Sequence, residues 1–385
     1  MFNSLRRGLA SLSSRKIYFF MLIVVPVAGA FFFLNLMSEG LPLRITVSMV
    51  DMDHSAMSRQ ITRQLRAGEL TDITSNVDSY NEALAKVRAG ETFGFFYIPQ
   101  NFQKDVEGGR KPTLSFFCNM SVFVPGTLAF KGFKTVAVTT SGGVVEATLA
   151  SLGAESVIGS GESLMMPLNV DTHPIGNPWM NYNIYLSNSF LPALLALIAM
   201  TMTVFSICIE IKQGTSPEWI ANSRGHIGVA IFGKLFPQTV ILCAIGVAIQ
   251  AVMYGWLGFP MHCPAWRMVL AMILLIVASQ CWALTVCEIV PNMRLALILV
   301  SLTSILAFSV AGFSFPVEKM YGAVGIFSYI LPIRYYFLIY IDQALNGWPL
   351  YYSRAYYAVL LVMTLVPLLG FRRLKSKCLT PVYVP

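Results

Sequence analysis

An apolar stretch at residues 17–37 is followed by a long segment of ordinary water-soluble character, residues 38–183, and then by apolar stretches that run almost to residue 385. A helix rises 1.5 Å per residue, so crossing a hydrocarbon core of roughly 30 Å takes about 20 apolar residues. Six stretches meet that length: residues 17–37, 184–209, 235–257, 268–289, 295–315 and 356–371. The expected fold class is an α-helical polytopic membrane protein of about six transmembrane helices, with an α/β extracytoplasmic domain inserted after the first.

Composition excludes an ordinary soluble fold: 56% of residues are hydrophobic and 12% charged, against about 25% charged in soluble domains. The net charge of +8 does not point to nucleic acid, because it is unevenly placed. Residues 38–183 hold 11 basic and 14 acidic side chains, net −3, which leaves +11 for the rest of the chain. Basic residues gather in short cytoplasmic segments beside spans. Arg6, Arg7, Arg15 and Lys16 therefore place the N-terminus inside, and Arg372, Arg373, Lys375 and Lys377 do the same for residues 372–385, a cytoplasmic tail. Both clusters attract anionic membrane lipid. An even number of crossings fits both ends, and residues 38–183 then face outward.

The first stretch reads as an uncleaved anchor. It is longer than a signal-peptide core of 7 to 15 residues, and Ala28-Gly29-Ala30 lies inside it. Before it, Phe2, Leu5, Leu9 and Leu12 recur at helical spacing opposite Arg6, Arg7 and Ser13, which describes an interfacial helix over residues 1–16. Of seven cysteines, Cys208, Cys243, Cys281 and Cys287 fall within spans or at their ends, as small apolar packers. Cys118 and Cys263 are the two expected outside and leave room for one disulfide. Neither the cysteines nor the four histidines show metal-ligand spacing.

Within the inserted segment, residues 44–50, 71–77, 94–98 and 113–118 read as strands. Residues 55–65 read as a helix capped by Asp53 or Ser55, and residues 79–88 as a second, opened by the capping box Ser79 and Glu82. Strands alternating with helices predict a partly parallel sheet. Residues 125–152 fit a long helix. Asn119-Met-Ser121 matches a glycosylation sequon and is read as chance.

Gly228-Val-Ala-Ile-Phe-Gly-Lys234 matches a phosphate-binding loop until Leu235, where Ser or Thr should hold magnesium. Lys234 is read instead as a lysine snorkelling to the interface. The longest cytoplasmic loop, residues 210–227, contains Ser216 as a helix cap, Pro217 at the first helical position and Glu218 in the first turn, with Trp219, Ile220 and Ser223 sharing a face. It is either a docking surface or a solvated connector; the residues alone leave both open. Residues 313–352 are only partly polar and contain residues 326–341, too interrupted by Pro332 and Arg334 to span easily, so they read as a re-entrant segment dipping in from outside. Arg334 and Asp342 lie about two turns apart, placed to pair, to line a path or to sit exposed at the interface. The aromatics around Tyr329, Tyr340 and Trp348 read as an outer-interface belt. No Ser/His/Asp arrangement, HExxH or paired intramembrane carboxylates occur, so the chain is not expected to be an enzyme.

The order of these features resembles the permeases of type-2 ABC transporters, in the subgroup with a large external domain between the first two spans. The resemblance covers essentially the whole chain. It rests on Val47-Ser-Met-Val-Asp-Met-Asp53 with Ser58-Arg59, on residues 81–90 followed by Gly94-Phe-Phe-Tyr-Ile-Pro99 and Phe102, and on Asn177-Pro178 with Asn181-Tyr182. It rests also on Glu210-Ile-Lys-Gln-Gly-Thr215, on residues 312–316, and on Pro332 with Arg334-Tyr335-Tyr336. Ser216-Pro-Glu-Trp219 replaces the usual leucine-rich continuation, and Ser189-Phe-Leu-Pro192 replaces the customary Pro-Gly.

The resemblance implies an export subunit of a bacterial inner membrane that pairs with a second permease copy or paralogue. A separate ABC ATPase subunit would bind ATP and Mg, leaving no cofactor on this chain. It would dock on Glu210, Lys212, Gly214, Thr215, Glu218, Trp219 and Arg224, while Pro332, Arg334, Tyr335 and Asp342 would belong to the re-entrant segment or the translocation path. A periplasmic adaptor protein is a further implied partner, and drug-like or other small amphipathic molecules the implied cargo. Two other classes compete. A secondary transporter would show internal repeats and midplane ionisable groups, and a membrane-anchored receptor or assembly factor would need no ATPase.

Overall fold

The computed structural model describes residues 2–36, 43–108, 110, 112–119, 124–136, 138, 181–313 and 315–381. The chain divides into two units, Met1–Gly40 with His173–Pro385, and Leu41–Thr172. The first unit opens with helix α1, Phe2–Ser14, and passes at Arg15 into span 1, Lys16–Leu36. A π-helical turn, Phe20–Val24, interrupts that span.

In the second unit, strands β1 (Ile45–Asp51), β2 (Thr71–Asn76), β3 (Gly94–Ile98) and β4 (Ser115–Cys118) form one sheet of order β2-β1-β3-β4. β1 is parallel to β2 and β3, and β3 is antiparallel to β4, so the sheet is partly parallel as the alternation of elements predicts. Helices α2 (Ala56–Ala67) and α3 (Tyr80–Ala89) make the two parallel crossovers, and α4 (Phe102–Glu107) follows β3. The period of two in the strands divides their side chains between the faces. Val47, Met49, Phe96 and Ile98 bury against Ile61 and Leu65 of α2 and against Phe133 of the helical residues 124–136. Val50 and Phe95 bury on the other side against Ala83 of α3. The caps are those written in the sequence: Ser55 accepts from Ser58 N at 3.0 Å and Ser79 from Glu82 N at 3.2 Å. α3 ends at Gly90, in the left-handed region at φ +77°. Most of the helix expected over residues 125–152, part of the sequon, and Asn177-Pro178 lie outside the described residues.

The first unit resumes with span 2, Tyr182–Lys212, then the short helix α5, Ser216–Ala221. Span 3 (Ile227–Trp256), span 4 (Ala265–Ile289) and span 5 (Met293–Val310) follow. Helices α6 (Gly322–Ser328) and α7 (Pro332–Leu345) are bent by 79° to each other. Span 6 (Leu350–Leu369) leads into α8, Phe371–Leu379. Six helices are therefore long and apolar enough to cross a membrane among the described residues, as expected.

Their ends differ from the hydropathy reading for stated reasons. Span 3 begins eight residues before the expected residue 235 because Lys234, the charge that set the boundary, is neutralised within the protein. Span 2 likewise runs past residue 209 because Glu210 is the partner. Span 5 stops at Val310, five residues short, where Gly312 takes φ +99°. Residues 372–379, expected as part of the cytoplasmic tail, belong to α8, with Leu374 and Cys378 fully buried.

Spans 2 and 4 form the centre of this unit. Leu191, Leu195, Ala199 and Ile207 of span 2 and Leu275, Ile276 and Ala283 of span 4 are closed off from outside. A file of rings continues outward from them: Phe190 to Phe308 at 4.0 Å, Phe308 to Phe313 at 5.5 Å, and Phe313 to Phe337 at 4.2 Å. These contacts tie span 2 to span 5 and to α7.

Candidate coupling site

α1, α5 and α8 meet where span 2 ends and span 3 begins, and a buried cluster of charges lies at the meeting point. Glu210 is in the last turn of span 2. Its carboxylate takes the Lys234 ammonium on one oxygen and, on the other, the Thr215 hydroxyl and the Arg7 guanidinium, the last at 3.3 Å. The Lys234 side chain is only 6% exposed, and its ammonium sits 5.1 Å from the centre of the Trp219 ring. Arg7, 203 positions away, and Lys234, 24 positions away, are thus tied to one carboxylate together with the nearby Thr215. A buried charge needs such partners, since removing one of a buried pair costs about 3–5 kcal/mol.

The cluster corrects the sequence reading at several points. Lys234 does not snorkel to an interface; it is enclosed. Trp219 is buried at 3% exposure and packs inward, so it offers no aromatic surface to a partner. Ser216 is the first residue of α5 rather than its cap, and its hydroxyl donates to the Cys378 carbonyl of α8 at 2.7 Å. Ile220 and Ser223 share the buried face with Trp219, as their spacing predicts. Lys212, Glu218, Asn222 and Arg224 are among the residues that α5 and its flanks leave exposed. Gly214 at φ +70° and Arg224 at φ +55° make the turns on either side.

α1 reaches this site by close backbone packing. A Cβ at Gly8 would lie 3.2 Å from the Gly233 carbonyl carbon and 3.3 Å from Lys234 Cα, and one at Gly233 would lie 2.6 Å from Ser4 Cβ. Ser4 donates to the Val229 carbonyl at 3.1 Å and lies 3.2 Å from the Ser223 hydroxyl. Arg15 adds a bond to Gln213 at 2.6 Å. The residues that carry α1 are therefore the small ones, while Leu9 points outward at 58% exposure. Gly228 and Gly233, which suggested a phosphate loop, lie inside the continuous helix of span 3.

The second predicted set lies around α7. Pro332 opens the helix at a position where its missing N–H costs nothing. Arg334 does not meet Asp342. Its guanidinium stacks 4.6 Å from the Tyr329 ring centre and approaches Glu318 at 3.7 Å. Tyr335 donates to the Tyr329 carbonyl at 2.6 Å. Asp342 accepts from Ser353 at 3.1 Å, and Gln343, beside it, accepts from Arg267 at 2.8 Å. The structure thus separates Arg334 and Asp342 into two groups with different neighbours, the Arg334 Nε being buried without a hydrogen-bond partner, and Tyr335, Tyr336 and Tyr340 are interior residues rather than belt residues.

Sequence reasoning missed the amides. Tyr18 and Ser206 lie 3.1 Å apart and Ser206 reaches Gln238 at 3.5 Å, joining spans 1, 2 and 3. Thr239 donates to Gln280 at 2.7 Å, Tyr254 to Asn188 at 2.8 Å, and Gln250 to Tyr336 at 3.3 Å. These bonds join spans 3 and 4, spans 2 and 3, and span 3 and α7. The available signal was the polar residue itself, since an amide inside a span is expensive unless it meets another helix.

The family model described as ABC-2 family transporter protein matches residues 16–371. No curated protein matches the chain. The matched range runs from span 1 to the start of α8 and takes in the sheet unit and, of the charge cluster, Glu210, Thr215 and Lys234 but not Arg7. This chain belongs to the ABC-2 family of transporter membrane proteins and is a type-2 ABC permease, the membrane-spanning and non-catalytic part of a transporter.

Proposed function

We propose that this permease is half of an exporter for small amphipathic molecules, paired with a second copy or paralogue in a bacterial inner membrane and driven by a separate ABC ATPase. The ATPase, which holds ATP and Mg, seats on the exposed residues Lys212, Glu218 and Arg224 around α5. The observation that carries this reading is the carboxylate of Glu210, which ties α1, the end of span 2 and the start of span 3 into one block behind α5. A push on α5 then moves spans 2 and 3 together instead of bending a loop, the rigid-body displacement that alternating access needs. α6 and α7 are read as a re-entrant pair at the outer end of the path, with the α/β unit outside and available to a periplasmic adaptor.

Glu210 is structural in this scheme, so reversing its charge would test folding, not docking. Docking is tested by Glu218→Lys with Arg224→Glu, both at exposed positions. The intact permease, purified from native membranes, is expected to bring an ABC ATPase with it, and the double variant to lose that subunit while keeping its own thermal unfolding midpoint. An ATPase that co-purifies equally with both forms would remove α5 from the interface; none with either would remove the proposal.

A further inference from the structure

The α/β unit carries a charged cleft that transport leaves unused. α2 reads Ala56-Met-Ser-Arg-Gln-Ile-Thr-Arg-Gln-Leu-Arg-Ala67, with three arginines and no acidic residue. Ile61 and Leu65 fix the buried face, which turns Arg59, Arg63 and Arg66 outward. Positions i, i+4 and i+7 make a row roughly 10 Å long at 1.5 Å per residue. The ends of β1 and β2 and the turns after them supply the facing wall, with Asp51, Asn76 and Asp78, and the space enclosed is about 320 Å³.

The groups around this space are not equivalent. Arg59 is fixed, donating to the His54 carbonyl at 2.8 Å. Asp51 is occupied by its own loop, accepting from Asp53 N and His54 N at 3.0 Å and from the Ser58 hydroxyl at 2.7 Å. Among the described residues, Arg63 and Arg66 meet no carboxylate within ion-pair distance, and Asp78 stands exposed opposite them.

We propose that this cleft receives an acidic segment of a partner protein, whose carboxylates meet Arg63 and Arg66 and whose register is set by a basic residue facing Asp78. The row is longer than a single phosphate can bridge, and its arginines line a wall instead of converging on a point. Asp51 and Asp78 in the same cleft repel a compact polyanion, whereas a chain of mixed charge meets both signs. Because the pairs are exposed, the contact is fast to form and weakened by salt. The proposal rests on the exporter reading only for placing this unit where an extracytoplasmic protein can reach it.

The test uses the purified full-length permease in detergent, titrated with a fluorescein-labelled Glu-Glu-Lys-Glu-Glu-Lys-Glu-Glu peptide and, as competitor, inorganic pyrophosphate. The peptide is expected to bind in a salt-sensitive way, with affinity falling about tenfold or more in R63E/R66E and less than about twofold in R88E, a reversal at the exposed end of α3. Pyrophosphate at equal charge is expected to leave the bound peptide in place. Equal affinity in all three proteins would assign binding to other basic residues and overturn the cleft; efficient displacement by pyrophosphate would make it a small-anion site and overturn the protein-segment claim. R63Q/R66Q, which removes charge without reversing it, is expected to lose the same binding and decides the matter if the reversed protein unfolds. ATPase co-purification is scored on the same preparations, so that failure of the transport reading and failure of the cleft are seen separately.

Discussion

At the scale of single residues, one carboxylate joins three parts of the membrane unit. Replacing Glu210 by Gln leaves Lys234 enclosed without a counter-charge, and replacing Lys234 by Met leaves Glu210 with Arg7 and Thr215 only. Each single change is expected to destabilise the membrane unit by about 3–5 kcal/mol, and the pair Glu210→Gln with Lys234→Met by clearly less than their sum. Chemical denaturation in detergent measures all three; strict additivity would mean that the two charges do not interact. A second expectation concerns Cys378, outside the spans. Its burial pushes the thiol up to about 12, so the thiolate forms only as pH rises through that value and maleimide labelling at pH 8 is slow. Ala at Ser216 removes the bond to the Cys378 carbonyl and is expected to speed labelling several-fold. Unchanged labelling would show that α5 does not hold α8 in place.

At the scale of elements, close approach is what joins helices here. Gly233→Ala puts a methyl into Ser4 and is expected to displace α1 from span 3, exposing the Arg7 side of the cluster; faster proteolysis after Arg6 or Arg7 reports it. Cys208 of span 2 and Cys287 of span 4 have sulfurs 3.7 Å apart. A membrane-permeant oxidant is expected to link them into one intramolecular disulfide that C208S abolishes, and failure to form it would place the two spans further apart. Local features of this kind divide into those the sequence announces and those it hides. Strand alternation, Ser55 and Ser79 as caps, and six apolar runs depend on neighbours within a few residues, so all were legible. The partner of Glu210 lies 24 residues away on span 3, and Arg7 lies 203 residues away. Nothing local distinguishes a lysine that snorkels from one that is paired. Hydropathy therefore cut spans 2 and 3 short at the two charges that hold them together. The buried glutamines were hidden for the same reason, because each is explained only by its hydrogen-bond partner on another helix.

For the whole molecule, the spans differ in how much of themselves they keep inside. Spans 2 and 4 are mostly enclosed, while span 5 presents Leu295, Ile298, Leu302 and Ile305 outward. Under the paired-permease proposal that face is shared with the second copy, and Leu302→Arg with Ile305→Arg is expected to halve the mass of the purified particle measured by light scattering. A single-copy mass for the unchanged protein would count against pairing altogether. The arrangement of α8 carries a further consequence. Its Cys378 carbonyl closes the seat of Ser216, although α5 is translated more than 150 residues earlier, as the separation of 162 positions records. The platform around α5 therefore stays incomplete on the ribosome until α8 has been made. A chain stalled or clipped before residue 378 can insert all six spans and still present an unfinished face, so under the proposed docking a motor is expected to join only chains made through α8.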